Sequence, residues 1–413
     1  MRKPRISVVM PVYNVEAYLP EAIASVQQQS IHDWEIIGVD DASTDRSLQL
    51  LHQFSLRDHR IRCIPLPENH GVSYARNRAL QEARGDYICF LDPDDYLLPG
   101  AFASLLTCAD AETLDGILFD AGEVYASPRL ERKLSGQWQG QRQHTYPETA
   151  PGYAMYLLLA KKGDYSSLLG RSFWRLRTMQ EAGIRFSEEL KLAEDDLFYF
   201  QMMLAARRVR VLPERFYVYR RREASLTVDH AGTIVDDFSR LFLVHQLRKR
   251  TLESSESTLP RDAIRELYAS EKPMQTHLLG LYHRMTSDMR RQMTFGRAAD
   301  QEAYQVLQRV YQERMRFTSM LQRLIRCGEP VYLIGDENGR DAACRWLGQP
   351  ASAYRCIYDS EKHVDGGAVL TQMHQHPGVY IFFTVVYDLL LPLLSGDGFQ
   401  EDRDFFDGRM YLF

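Results

Sequence analysis

The stretch Tyr87-Ile88-Cys89-Phe90-Leu91-Asp92-Pro93-Asp94-Asp95-Tyr96-Leu97 decides how the first half of this chain reads. Five apolar residues predict a short buried strand over 87–91, and the polar residues after it mark its carboxyl end. Pro93 makes a turn there and brings carboxylates together at two-residue spacing. Like charges so close repel unless a cation or a hydrogen-bonding ligand sits among them. Asp92 and Asp94 offer the hard oxygen donors that Mg²⁺ and Mn²⁺ prefer, with water and phosphate oxygens completing the shell.

Upstream, the same pattern repeats. Ile6–Val12 is a β-branched run, and Leu19, Ile23 and Val26 then recur at helical spacing. A second strand over 34–39 precedes a helix marked by Leu48, Leu51 and Phe54. A third strand over 62–66 and a third helix over 74–83 lead into 87–91. This alternation implies right-handed crossovers and a mainly parallel sheet covered on both faces. Ligands on such sheets bind at the carboxyl ends of the strands. Polar clusters stand there: Pro11-Val12-Tyr13-Asn14 at the end of the first strand and Asp40-Asp41-Ala42-Ser43-Thr44-Asp45 at the end of the second. Arg76-Asn77 lies on the third helix. Singly, Asn14, Ser43 and Thr44 read as helix caps and Asp40 and Asp41 as turn residues. Clustered on one rim, they point to a ligand.

Downstream, the polar text over 125–146 reads as a loop. Helices resume over 153–159 and 195–206, the second beside Glu194-Asp195-Asp196, and short strands over 208–212 and 216–220 close a first domain. Residues 234–326 read as almost wholly helical. Arg314, Arg316, Arg323 and Arg326 alternate there with Met315, Met320, Leu321, Leu324 and Ile325. That pattern fits a packed helix with a solvated basic face first, and a helix lying on an anionic membrane second. A new α/β unit follows, with strands over 331–334, 356–358 and 379–386 and a helix over 339–347. Its turn Gly335-Asp336-Glu337-Asn338-Gly339 lacks full GxGxxG spacing and places acids where a pyrophosphate would sit. Asp359 after its second strand suits a ribose contact or a turn equally. The expected organisation is α/β: a domain over 1–230, a helical connector over 231–327, and a small degenerate Rossmann-like domain over 328–413.

Composition excludes several classes. At ~150 residues per domain, 413 residues suggest two or three domains, and 45% hydrophobic with 25% charged residues argues against disorder. Fifty basic against 55 acidic residues give a net charge of -5, so no global footprint for nucleic acid exists. Cys63, Cys89, Cys108, Cys327, Cys344 and Cys356 form no CxxC pair and read as reduced thiols. The N-terminal apolar run is too short for a signal peptide. The apolar segment 379–394 is interrupted by Asp388 and Pro392, whereas a membrane span needs ~20 apolar residues. A cytoplasmic protein is expected.

Five motifs in order resemble the family-2 glycosyltransferases. They are Ser7-Val8-Val9-Met10-Pro11-Val12-Tyr13-Asn14, Val39-Asp40-Asp41-Ala42-Ser43-Thr44-Asp45, Gly71-Val72-Ser73-Tyr74-Ala75-Arg76-Asn77, Phe90-Leu91-Asp92-Pro93-Asp94-Asp95 and Glu194-Asp195-Asp196. The resemblance covers about residues 5–225. It implies a GT-A fold and inverting transfer of a sugar from a nucleotide-sugar donor, usually a UDP-sugar, with Mn²⁺ or Mg²⁺. Residue by residue, it implies that Pro11, Tyr13 and Asn14 line the uridine site and that Asp40 or Asp41 hydrogen-bonds the uracil. Arg76 and Asn77 would lie under the nucleotide. Asp92 would reach the ribose or donor sugar and share the metal with Asp94. Asp195 would be the general base, with Glu194 as the alternative, and Arg221 and Arg222 would close over the diphosphate. Ala42 and Ala193 stand where the family commonly has glycine, which bears on local backbone angles.

Inversion needs one in-line displacement, in which a base takes the acceptor proton as the nucleotide diphosphate leaves the opposite face. The acids of Glu194-Asp195-Asp196 are equally at home in a first helical turn. The C-terminal unit is similar to Rossmann-type halves appended to some bacterial polysaccharide glycosyltransferases. The expected partners are therefore a glycan or lipid-linked acceptor, the inner face of a membrane, and a second copy through the C-terminal domains. A processive polymerase and a non-catalytic sugar-nucleotide-binding protein are the alternatives.

Overall fold

β1 (Ile6–Val12) is buried along its whole length, as a β-branched run covered on both faces requires. β2 (Trp34–Asp40) is equally buried and runs parallel to it, from Ile6 opposite Trp34 to Val12 opposite Asp40. β3 (Ile61–Pro65) adds parallel to β2. β4 (Tyr87–Phe90) then returns parallel to the other side of β1. Helices α1 (Leu19–Gln27), α2 (Ser47–Arg57) and α3 (Val72–Glu82) connect these strands. Successive β1 side chains enter different clusters: Val8 and Val12 pack with Ile36 and Cys89, while Val9 packs with Ile37, Ile88 and Phe90. That alternation makes one sheet with two apolar faces.

This computed structural model describes residues 3–127, 142, 144–190, 192–222, 233–293, 295, 297–326, 330–335, 355–358, 371, 373–375, 378–383 and 405–407. Four further strands enlarge the first sheet: β5 (Tyr96–Leu97), β6 (Gly116–Tyr125), β7 (Ser172–Arg175) and β8 (Val209–Arg221). Among the described residues the order is β3-β2-β1-β4-β7-β6-β8-β5. β7 is antiparallel to both β4 and β6. β8 forms one strand where two were expected, because pairing with β6 shifts register between Leu118 and Ala121 and passes over Pro213. Proline cannot donate to a ladder, so a bulge absorbs it.

The chain leaves β1 toward β2 and β3 on one side and returns as β4 on the other. The crevice outside the carboxyl ends of β1 and β4 is thus the point where the strand order reverses, the usual ligand position in such sheets. Helices α4 (Ala101–Glu112), α5 (Gly152–Lys162), α6 (Leu176–Glu181) and α7 (Glu194–Ala205) complete the layers.

The chain divides into two compact units, Met1–Glu271 and Lys272–Phe413. The expected connector 231–327 is therefore split. α8 (Ile234–Ser255) and α9 (Arg261–Ser270) belong to the first unit, where buried Arg248 of α8 pairs with Asp196 and Glu271. α10 (Lys272–Arg284), α11 (Ser287–Gln292) and α12 (Ala298–Arg326) belong to the second. The second unit also holds β9 (Val331–Gly335), β10 (Arg355–Tyr358), β11 (Val379–Phe383) and β12 (Phe405–Asp407). These pair in parallel in the order β10-β9-β11-β12. The turn 336–340, the expected helix 339–347, Asp359, loop residues 128–141 and the segment 223–227 lie outside the described residues, as do the side chains of Arg314, Arg316 and Arg326. Among the described residues no helix is long and apolar enough to cross a membrane.

Candidate active site

The turn after β4 carries three carboxylates, Asp92, Asp94 and Asp95. The Asp95 amide donates to the Asp92 carbonyl at 3.0 Å, closing the turn around Pro93. Asp95 itself faces inward and is buried. The Tyr217 hydroxyl donates to its Oδ2, and the Arg220 amide to its Oδ1 at 2.7 Å. Burial, with Asp94 and Asp92 nearby, holds its carboxyl well above the usual range. Asp94 accepts from Arg222 Nε at 2.6 Å. Burial raises its carboxyl too, Arg222 pulls it down, and Asp92 pushes it up again. Such crowding is relieved by a cation.

Asp92 and Asp94 fit a Mg²⁺ or Mn²⁺ ion of the kind that takes one or two carboxylates and completes its shell with phosphate oxygens. Among the described residues no three His, Cys, Asp or Glu side chains gather as an all-protein cage. Arg221 and Arg222 go separate ways: Arg221 Nε donates to Glu123 Oε1 at 2.6 Å, on the neighbouring β6, while Arg222 reaches Asp94. Adjacent residues at a strand end point to opposite faces.

Arg76 joins this turn to the start of α7. It is 5% exposed, donates through Nη2 to Asp92 Oδ1 at 3.0 Å and through Nη1 to Glu194 Oε1 at 2.8 Å. Burial opposes its charge, and Asp92 and Glu194 more than offset that and keep it protonated. Asp195, half-buried beside it, forms no ion pair among the described residues. Ser167 Oγ donates to its Oδ2 at 3.5 Å and the Asp196 amide to its Oδ1 at 2.8 Å. Burial and then the charge of Glu194 push its carboxyl up to about 7, against the pull of Arg76. A carboxylate poised there can take a proton near neutral pH.

The other strand ends are tied by hydrogen bonds to backbone. Asn14 Oδ1 accepts from the Thr44 amide at 2.8 Å, and the Asn14 amide donates to Ser43 Oγ at 3.1 Å, joining the loops after β1 and β2. Asp41 accepts from the amides of His70 and Gly71, each at 2.8 Å, and so fixes the entry to α3. Asn77 holds Phe186 by both its amide and its carbonyl, and its Nδ2 also donates to Glu188 Oε1 at 2.9 Å. Pro11 is buried opposite Val39, whereas Tyr13 is 45% exposed. Asp40 differs from Asp41. Its Oδ2 accepts from the Ser43 amide at 3.0 Å, while its Oδ1 is buried without a partner among the described residues.

Residues 7–167 match the family profile described as glycosyl transferase family 2. Over that segment the chain is similar to the family-2 glycosyltransferases, and its sheet has the GT-A arrangement. The chain is 34% identical over 224 residues to EpsJ of Bacillus subtilis, described as an uncharacterized glycosyltransferase, covering 54% of this chain and 63% of that protein. It is 30% identical over 237 residues to TarS of Staphylococcus aureus, a poly(ribitol-phosphate) beta-N-acetylglucosaminyltransferase, covering 57% of this chain and 38% of that one. The chain thus spans less than two thirds of the length of these relatives. A crystal structure of S. aureus TarS 1-349 in complex with UDP-GlcNAc superposes with a TM-score of 0.49 at 23% identity, covering 75% of this chain and 92% of that one.

Several residues of the glycosyltransferase domain's site escaped the sequence reading. Tyr217 and Arg220, which hold Asp95, sit in an apolar-aromatic run that reads only as strand. Arg248, which pairs with Asp196, lies inside Gln246-Leu247-Arg248-Lys249-Arg250, in the stretch that reads only as helical.

Proposed function

We propose that the first unit transfers a sugar from a nucleotide-sugar donor, a UDP-sugar, to a hydroxyl of a glycan or lipid-linked acceptor, with inversion at the anomeric carbon, in the building of a bacterial polysaccharide. One observation carries this reading: Arg76 ties the Asp92 end of the carboxylate turn to Glu194, next to a carboxylate poised near neutrality. A donor-holding group and a proton acceptor thus share one short buried link. The similarity to TarS, a poly(ribitol-phosphate) beta-N-acetylglucosaminyltransferase, supports the same chemical class.

In this mechanism the donor's uracil binds at the carboxyl end of β2, where Asp40 or Asp41 hydrogen-bonds it. Asp92 and Asp94 would hold the divalent ion, which would supply neutralisation of the diphosphate charge. Asp195 takes the acceptor hydroxyl proton. The acceptor oxygen bonds to the anomeric carbon as that carbon's bond to the diphosphate oxygen breaks, and nucleoside diphosphate departs. Arg222, paired with Asp94, brings a positive charge to the place where the departing diphosphate must be neutralised. Free thiols at Cys63, Cys89 and Cys108 support a reducing, cytoplasmic setting.

The test is calorimetric titration with UDP and UDP-sugars, with and without Mn²⁺, on the wild type and Asp94→Ala. Binding that requires the metal and vanishes in the folded variant supports the reading. Equal UDP–Mn²⁺ affinity in both removes Asp94 as a ligand, and the absence of any nucleotide-sugar binding removes the transferase reading.

A further inference from the structure

Glu194, Asp195 and Asp196 place three carboxylates in the first turn of α7. Two arginines approach them from different elements. Arg76, from α3, takes Glu194 at 2.8 Å. Arg248, from α8, takes Asp196 Oδ2 at 2.7 Å through Nη1. Arg248 is 3% exposed, and its other nitrogens are engaged: Nε and Nη2 donate to Glu271 Oε1 at 3.0 and 2.6 Å, and Nη2 also donates to the Tyr156 hydroxyl. Its guanidinium lies 4.1 Å from the ring centroid of Phe200, one α7 turn further on. Glu271 is itself buried and also meets His245. The remaining oxygen of Asp196 accepts from the Tyr165 hydroxyl at 2.5 Å.

We propose that Arg248 is a positioning residue for the transfer: by taking the charge of Asp196 and locking the first turn of α7, it leaves Asp195 as the carboxylate of the triplet that no arginine pairs among the described residues. The proposal rests on the reading of Asp195 as the base. Asp196 is two-point fixed, by Tyr165 and Arg248, so its amide stays aimed at Asp195 Oδ1. The charged groups that bear on Asp195 are Glu194, Asp196 and Arg76, with Arg248 behind Asp196. Removing Arg248 frees the full negative charge of Asp196 beside the base. The device reaches the site from outside the family-matched segment, which ends at residue 167.

The experiment follows the pH profile of kcat/KM and, separately, the titration of the Asp195 carboxyl by ¹³C NMR, assigned by difference against Asp195→Asn. Arg248→Met should shift the acid limb and the carboxyl midpoint upward by about one pH unit, a roughly tenfold loss below the midpoint, with the donor KM unchanged. Adding Asp196→Asn should return both toward the wild type, which a merely structural role would not do. Should Arg248→Met fail to fold, Arg248→Met with Glu271→Gln removes the stranded buried charge and keeps the same expectation. A midpoint unmoved in the folded variant, or not restored by Asp196→Asn, overturns the proposal. If the midpoint moves and returns while Asp195→Asn keeps full turnover, Arg248 does set the charge of Asp195. It is then the assignment of the base that falls.

Discussion

Asn14 and Asp41, at the ends of β1 and β2, have their side-chain oxygens filled by backbone amides of neighbouring loops. Asp92 and Asp94, after β4, have theirs filled by Arg76 and Arg222. Both sets occupy the same rim of the sheet. Amides are fixed in place by the fold, so the first set is complete before any ligand arrives. Arginine side chains can move, and the charges they neutralise are those a cation and a diphosphate would rearrange. Substitutions on the amide-held side should therefore change stability, and substitutions on the arginine-held side should change chemistry and its pH dependence.

The largest effect is expected on the charged side. A general base contributes about 10²–10⁴-fold, so Asp195→Asn should cut turnover by that factor with donor affinity nearly unchanged. In the wild type kcat/KM should rise as pH increases through about 7, where the Asp195 carboxyl loses its proton. Stability moves the other way. The folded-state value lies above that of an ordinary aspartate, so the folded protein holds this proton more tightly than the unfolded chain. Between about pH 4 and about pH 7 the wild type should lose stability relative to Asp195→Asn, and below that window the two should converge. Steady-state kinetics and denaturant melts across pH 4–8 check both limbs. Glu194→Gln is the contrast, and a selective loss of turnover there moves the base to Glu194.

Next in size is the boundary of the catalytic unit. A chain ending at Arg250 contains every sequence motif, yet it strands Arg248 without Glu271. Breaking a buried pair typically costs about 3–5 kcal/mol. A chain ending at Glu271 should fold and bind UDP with the full-length affinity, while the shorter one should melt well below it. Equal melting temperatures for the two would mean that α9 adds nothing to the catalytic unit.

On the amide-held side the expected loss is smaller. Asp41→Ala removes the acceptor of the His70 and Gly71 amides. Water can partly replace it, because His70 is exposed and Gly71 half-buried, so each lost hydrogen bond costs about 0.5–1.5 kcal/mol. The melt should drop while the acid limb of the pH profile stays in place. A shifted limb with an unchanged melt would erase the distinction between the two sets.

How much of this was legible in the sequence follows from which forces act locally. β1, β2 and β4 declare themselves because a strand covered on both faces must be apolar throughout, and Ile6–Val12 needs no partner to show it. The carboxylate turn was legible because Asp-x-Asp after such a run is costly unless a ligand uses it. β7 was not, since Ser172–Arg175 is too short to carry a period, and β8 was legible only as two short strands because Pro213 breaks the pattern that a bulge repairs. Arg248 was invisible for a different reason. Its pairing with Asp196 spans 52 positions, and nothing near it distinguishes a buried arginine from a solvated one. Likewise the difference between Asp40 and Asp41 is decided by which loop amides arrive, a tertiary fact.

The smallest effect separates local strain from hydrogen bonding. Ala42, Ala193 and Asn14 all adopt left-handed backbone angles, with φ of 57°, 61° and 51°. Such a conformation costs a residue with a Cβ about 1–2 kcal/mol, and glycine avoids that cost. Glycine also enlarges the unfolded ensemble, which takes back about 0.4–1 kcal/mol. The net for Ala42→Gly or Ala193→Gly is a gain of about 0 to 1.6 kcal/mol, near 2–4 °C per kcal/mol in a unit of this size. Asn14→Gly makes the contrast. Asparagine tolerates the left-handed region better than alanine, and its Oδ1 holds the Thr44 amide, so its replacement should lower the melt although the backbone angle is the same. A stabilised Asn14→Gly would mean that strain, rather than the loop-to-loop hydrogen bonds, governs the amide-held side.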